Sequence, residues 1–282
     1  MQVFINGLGL IGGSIAKIMQ QSTVNTTITG FDVNVKNIDI LHQAGVITPV
    51  KNFAQGAQNA DVIVLAASIN VIKQNLVTLA TLPLHSNVLV TDVGSSKVSI
   101  MQTVKELKNL NFNFLGGHPM AGSHLSGSEY SKVDLFQHHQ YFLVNENATD
   151  DQVNRFKQLM QPAMVNFQSL KANQHDELVS LVSHLPHALV FNMMNSINNL
   201  AKSEALDLSL AGGGLFDTTR IAMGNPQMWT DILLNNSTKL VNQISAYQKS
   251  LEHFKQAIEN QDATQLMQEI KQANLARRRM EE

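Results

Sequence analysis

Short runs of β-branched and aromatic residues alternate with amphipathic stretches up to about residue 170. The runs are QVFIN (2–6), TTITGF (26–31), DVIVLAA (61–67), NVLVTDV (87–93), FNFLGG (112–117) and YFLVNE (141–146), and between them lie stretches such as SIAKIMQQ and VSIMQTVKELKNL. Apolar runs of this length, bounded by Gly, Asn and Asp, read as buried strands, and their alternation with helical periodicity predicts a twisted, mainly parallel sheet with helices on its faces. Beyond about residue 172 the strands stop, and long helical patterns begin with HDELVSLVSHLPHALVFNMMNSINNLA. In WTDILLNNSTKLVNQISAYQKSLEHF, Ile232, Leu233, Leu240, Ile244, Tyr247, Leu251 and Phe254 recur at mixed helical spacings, which predicts one buried face. The chain therefore divides into an α/β domain over residues 1–171 and an all-α domain over residues 172–282.

Composition narrows the partners. A chain of 282 residues with 44% apolar residues can fill two cores. Its 20 basic and 22 acidic side chains leave a formal charge of −2, so no broad basic field exists for a nucleic-acid backbone or an anionic membrane. A small molecule or a second copy of the chain is expected instead. With no cysteine there are no disulfides or thiolate nucleophiles, which fits a reducing compartment. The apolar start, MQVFINGLGLIGGSIAKIM, lacks a basic leader and is rich in glycine, so it reads as folded structure and not as a signal peptide. No apolar run reaches the ~18 residues of a membrane span. A soluble cytoplasmic protein is expected, as a homodimer built on the Leu-, Ile- and Met-rich helical half. The terminal ARRRMEE reads as a solvated helix end.

Candidate chemistry begins with Gly7, Gly9 and Gly12, which spell G-x-G-x-x-G between the strand QVFIN and the helix SIAKIMQQ. Gly7 permits a tight turn, Gly9 lets a pyrophosphate approach the backbone, and Gly12 lets helix pack on strand. With Leu8, Leu10 and Ile11 they form the expected cofactor turn of a Rossmann-like dinucleotide-binding domain. Asp32 follows Gly12 by 20 residues at the end of the second strand, where a carboxylate can accept both ribose hydroxyls. An acid there repels a 2'-phosphate, so NAD is favoured over NADP, with Lys36 the one nearby cation that tempers the preference.

Two further loops fall at the carboxyl edge of the sheet, where α/β folds bind ligands. VTDVGSSK (90–97) offers Ser95 and Ser96, either of which can instead cap the following helix. Lys97, one step into that helix, is expected to be solvated or to face a phosphate, although some hydroxyacid dehydrogenases use a lysine as acid/base. FLGGHPMAGS (114–123) sets His118 in an open loop among residues too small to cover it, leaving room for a ligand. A neutral histidine can take a hydroxyl proton as hydride leaves the same carbon.

GGHPMAGS followed by SGSEYS, with DVGSSK upstream and SHLPHA and GGGLFDTTRIAMGNPQMW downstream, resembles the prephenate dehydrogenase family of tyrosine biosynthesis across nearly the whole chain. The resemblance implies that His118 accepts a hydrogen bond from the ring hydroxyl of prephenate, and that Ser95 holds the same hydroxyl near the nicotinamide. It also implies substrate contacts from His187, Arg220, Trp229 and the backbone of Gly213, with Asp217 orienting Arg220 and Ser123 at the far end of the loop. Ser123 followed by His124 departs from the acidic or polar residue that some relatives carry. With no fused mutase-like segment or regulatory domain in the sequence, a monofunctional enzyme is expected.

The residues support this independently of the family. A dicarboxylate needs a fixed cation, and a guanidinium binds carboxylate in a fork. Arg220 and Asp217 are the only charges in GGGLFDTTRIAMG. An intrahelical surface ion pair is the bland alternative. His184 and His187 lack a third ligand at metal spacing, so no metal is expected, and His184 reads as structural helix polarity. Oxidative decarboxylation of prephenate by NAD is the expected reaction, with arogenate dehydrogenase, a β-hydroxyacid dehydrogenase using Lys97, and a non-catalytic NAD sensor as the alternatives.

Overall fold

The computed structural model describes residues 1–108, 110–122 and 125–281. Its strands are β1 (Gln2–Asn6), β2 (Thr27–Phe31), β3 (Thr48–Pro49), β4 (Val62–Leu65), β5 (Leu89–Asp92), β6 (Asn113–Pro119), β7 (Gln140–Asn145) and β8 (Asn166–Ser169), in the spatial order β3-β2-β1-β4-β5-β6-β7-β8. All pairings are parallel except β6 with β7. Every residue of VIVL in β4 and of LVTD in β5 is buried, as a sheet covered on both faces requires.

The helices α1 (Leu10–Gln20), α2 (Val35–Gln43), α3 (Phe53–Gln58), α4 (Ile69–Leu79), α5 (Val98–Glu106) and α6 (Asp150–Leu159) supply that cover. Successive residues of one strand serve opposite cores: Ile5 packs with Ile15, Leu41 and Phe156, while Phe4 packs with Leu76, Val90, Ile100 and Phe114. This two-sided core fixes the register of each strand, because a one-residue slip would exchange the faces.

The helical part starts with α7 (Ala172–Val179), passes through a π turn at Ser180–His184, and continues as α8 (Leu185–Ser203). Pro186 sits in the first turn of α8, the place where a helix tolerates a missing N–H. Next come α9 (Gly213–Thr219) and α10 (Pro226–Asn235), and these belong with the sheet to one compact unit, residues 1–236. A second unit, residues 237–282, holds α11 (Ser237–Glu259) and α12 (Ala263–Arg278), joined through Gln261 at φ +54°. Among the described residues no helix is long and apolar enough to cross a membrane.

Several expectations are corrected. The face predicted to be buried through WTDILLNNSTKLVNQISAYQKSLEHF is interrupted at Asn236, which separates α10 from α11, and Tyr247 and Leu251 stand 41% and 53% exposed. β6 runs two residues past FNFLGG, so His118 is a strand residue paired with Phe142 and only 8% exposed, not a residue of an open loop. β3 and β8 were not anticipated, since one is two residues long and the other, NFQS, is a largely exposed edge.

A Cβ on Gly12 would fall 1.8 Å from the Gly7 carbonyl oxygen, a backbone atom that cannot swing aside. Gly12→Ala should therefore lower the urea midpoint by an equivalent of ~1–3 kcal/mol. An unchanged midpoint would contradict this packing of α1 on β1.

Candidate active site

The turn after β1 owes its shape to glycine. Gly7 holds φ at +92°, and a Cβ there would meet the Ala66 carbonyl oxygen at 2.3 Å. Around Gly9, by contrast, a Cβ would find nothing within 4 Å, and no side chain caps the N-terminus of α1. That combination of an open backbone face and uncapped helix amides suits a diphosphate. Leu8 and Leu10 are buried in the core, and the Leu8 N–H donates to Asp32 Oδ2 at 2.6 Å, so Leu8 supports the turn from beneath. Asp32 also accepts from Asn34 N–H at 2.7 Å and Asn37 Nδ2 at 3.2 Å, which fixes its carboxylate at the end of β2. Lys36 is paired with Glu129 at 2.7 Å, so its ammonium already has a partner beside Asp32.

Below the next loop lies a fully buried ion pair. Lys97 Nζ donates to Asp92 Oδ2 and, at 2.8 Å, to the Gly117 carbonyl, while Asp92 Oδ1 accepts from Gly117 N–H at 3.1 Å. Lys97 is thus neither solvated nor phosphate-facing, which corrects the expectation from its place at a helix start. The pair grips both hydrogen-bonding groups of Gly117, the residue before His118. It also explains the glycines of GGHP. A Cβ on Gly117 would lie 2.6 Å from Asp92 O, and one on Gly116 would lie 2.5 Å from Met101 and 3.2 Å from the Lys97 side chain. These two glycines admit Lys97 and Asp92 rather than a ligand, although Gly122 faces open space.

His118 meets a partner absent from the expectations. Its Nδ1 lies 2.9 Å from Nε2 of His175, the rings packing edge-on with centroids 5.1 Å apart. His175 Nδ1 in turn lies 2.7 Å from Asp176 Oδ1. The Asp176 carboxylate further accepts from Lys97 N–H at 2.6 Å, Val98 N–H at 2.9 Å and Ser96 Oγ at 2.8 Å. Burial pushes the Asp176 carboxyl up, but His175 and the two N–H groups hold it below its ordinary value. The cap of α5 is therefore Asp176 from α7, not Ser96. Burial drives His118 well below an ordinary histidine, with His175, Lys97 and His184 adding to the effect. These effects favour the neutral ring. Ser95 is half-buried on the same loop as Ser96.

A second group of rings comes from the π turn and α8. Trp229 stacks on His187 with centroids 3.6 Å apart and takes the edges of His184 and Phe191 at 6.4 and 5.9 Å. Gly224 makes room for the indole, since a Cβ there would touch its Nε1 at 2.4 Å. His187 Nδ1 donates to the Ser183 carbonyl at 2.9 Å. Burial lowers the pKa of His187, and the charge of Arg220 lowers it further, which places the guanidinium within electrostatic reach. Arg220, Asp217 and Gly213 are exposed, and among the described residues no ion pair joins Arg220 to Asp217. His184 is 1% exposed, with Nδ1 3.4 Å from Asn236 Nδ2 and Nε2 lacking a partner among the described residues. Ser123 and His124 lie outside the described residues. No group of three or more His, Asp or Glu able to hold a metal occurs among the described residues.

Comparison with known proteins matches residues 15–168 to the family model "Prephenate dehydrogenase, nucleotide-binding domain" and residues 171–272 to "Prephenate dehydrogenase, dimerization domain". The chain belongs to the prephenate dehydrogenase family. It is 34% identical to the prephenate dehydrogenase of Lactococcus lactis subsp. cremoris over 99% of this chain and 77% of that protein. The crystal structure of the Aquifex aeolicus prephenate dehydrogenase, in complex with hydroxyphenyl propionate and NAD+, superposes with a TM-score of 0.89 at 29% identity, covering 99% and 98% of the two chains. Synechocystis arogenate dehydrogenase gives 0.82 at 26% identity, over 99% of this chain and all (100%) of that one. Within this prephenate dehydrogenase family member, the residue that sequence reasoning missed is His175. Its one signal is the His-Asp pair opening the first helix after the sheet, a place where polar residues are ordinary.

Burial pulls the His184 pKa from 6.5 to about 4. Between those values the unfolded chain binds a proton that the folded protein refuses, so stability falls as pH drops through this window, by up to about 3 kcal/mol from this group. His118 and His175 shift in the same direction. The urea midpoint should fall between about pH 7 and about pH 4.5, and His184→Gln should lessen that fall. An identical pH slope in the variant would contradict the neutral, buried state of His184.

Proposed function

We propose that this chain is an NAD-dependent prephenate dehydrogenase that oxidatively decarboxylates prephenate to 4-hydroxyphenylpyruvate. The observation that carries this reading is His118, buried at the carboxyl edge of a dinucleotide-binding sheet with its Nδ1 2.9 Å from His175. Gly7, Gly9, Gly12 and the first turn of α1 hold the diphosphate, and Asp32 takes the adenosine ribose. NAD bound there supplies the hydride acceptor. His118 draws the proton from the ring hydroxyl as the carbonyl forms, and Ser95 orients that hydroxyl. Arg220 fixes a substrate carboxylate without the support expected from Asp217, which makes no ion pair with it among the described residues, and His187, Trp229 and the Gly213 backbone line the same end of the site. Loss of carbon dioxide then makes the ring aromatic, which drives the reaction forward. Lys97 is committed to Asp92 and Gly117, which argues against a β-hydroxyacid dehydrogenase that uses it as acid/base.

The division of labour we assign puts the nucleotide on residues 1–171 and the substrate and a second subunit on residues 172–282. The exposed apolar side chains of the helical part, among them Leu200, Leu210, Phe216 and Leu234 at 62%, 85%, 62% and 68%, favour a homodimer. The enzyme works in the cytoplasm.

The test is NADH formation by the purified protein with prephenate or arogenate, each with NAD or NADP. Prephenate with NAD should be the best pair, and turnover of arogenate alone would replace the substrate assigned here. His118→Asn should lower kcat on the order of 100- to 10,000-fold while NAD affinity, measured by fluorescence titration, stays nearly intact. A fully active variant would remove His118 from the reaction. Arg220→Gln should chiefly raise KM for prephenate, and unchanged kinetics would make Arg220 a solvated side chain with no part in substrate binding.

A further inference from the structure

We propose that His175, held by Asp176, is the positioning residue that decides which nitrogen of His118 receives the proton. The inference follows from counting hydrogens along one buried chain of contacts. Asp176 is a carboxylate surrounded by donors and can only accept, so the proton of His175 must sit on Nδ1, 2.7 Å from Asp176 Oδ1. His175 Nε2 is then a lone pair. His118 Nδ1, 2.9 Å away, must be the donor of that contact, which leaves His118 Nε2 as the unprotonated nitrogen. Free neutral imidazole prefers the opposite tautomer, with its proton on Nε2 and no capacity to accept there. His175 thus turns a ring that would ordinarily be a donor at Nε2 into a base.

Packing holds this arrangement in register. His175 is wholly buried, wedged between His118 and Phe142, with the Phe142 ring edge-on at 5.5 Å. Its own pKa is lowered, mainly by burial, with Asp176 pulling upward and Lys97 downward, so it stays a neutral acceptor before the reaction. When His118 gains a proton, its Nδ1–H bond to His175 strengthens, and the Asp176 charge lies one ring beyond to oppose the new cation. Lys97, on the other side, disfavours that cation and helps return the proton after turnover.

This rests on the reading of His118 as proton acceptor, and the test separates the two. Nitrogen-15 NMR of the full-length protein labelled in histidine, with His118→Asn used to assign the signal, should show His118 neutral and protonated on Nδ1. In His175→Leu, which removes the acceptor while filling the space, the proton should move to Nε2. The kcat for prephenate should fall on the order of 100- to 10,000-fold, as for a catalytic histidine in the wrong tautomer, with KM for prephenate and NAD little changed. His175→Gln retains an acceptor oxygen and should restore the Nδ1–H tautomer and most of kcat. Wild-type His118 protonated on Nε2 would overturn the proposal, as would a His175→Leu variant with unaltered tautomer and full kcat. A wild-type protein inactive on prephenate would refute the functional reading alone, since the tautomer measurement decides the role of His175 without turnover.

Discussion

Four donors converge on the carboxylate of Asp176, and the arrangement of the site depends on that convergence. The group is 1% exposed, and a carboxylate taken out of water costs several kcal/mol unless its lone pairs are met. Three of the donors, Ser96 Oγ, Lys97 N–H and Val98 N–H, come from the loop that ends β5 and begins α5, and the fourth is the neighbouring His175. This placement of α7 satisfies the carboxylate and these amides together. One contact therefore caps α5, pins the start of the helical part to the carboxyl edge of the sheet, and orients His175 towards His118. Asn236 reinforces it from the end of α10 by donating to the Asp176 backbone carbonyl at 2.8 Å.

A second buried charge system lies on the other side of His118 and explains the local sequence. Lys97 and Asp92 are both inaccessible, and such a pair is weak evidence for stability, because burying the ions offsets their attraction. Its consequence here is geometric. By holding both the N–H and the carbonyl of Gly117 it sets the path of β6 immediately before the functional ring, and the space it occupies leaves Gly116 and Gly117 no room for side chains. Lys97 and His175 both add to the effect of burial in disfavouring the His118 cation, and the Asp176 carboxylate lies one ring away, beyond His175.

Much of this was legible in the sequence where local chemistry is repetitive. Buried runs such as VIVL and LVTD, the glycine turn with Asp32 after β2, and the helical periodicity beyond residue 172 each follow from short-range pattern. What was hidden depends on contacts between distant segments. His175 is 57 residues from His118 and stands in an unremarkable polar helix start. Lys97 looked solvated because one step into a helix is usually surface; its partner Asp92 is only five residues away, but the sequence does not show that the turn folds the two together beneath Gly117. The strand character of His118 was masked by the glycines and proline around it, which are turn residues by habit and strand residues here because of the ion pair. β8 escaped notice because an exposed edge needs no apolar run.

The two ends of the site are built from different materials, and this bears on how relatives of one fold come to carry different names. At the dinucleotide end the groups are backbone amides, glycines and one carboxylate, so the requirement is conformational and tolerates little change. At the proposed substrate end the groups are side chains from the π turn, α8 and α10, assembled around Trp229. Exchange of a ring or a cation there alters the pocket without touching the sheet. In the function proposed above, the proton-accepting step uses His118 and the residues behind it, and the ring hydroxyl it acts on is common to prephenate and arogenate. On that proposal, discrimination between a keto and an amino side chain falls to the Trp229 cluster and its surroundings. A fold in common with the Synechocystis arogenate dehydrogenase is what this separation of roles allows.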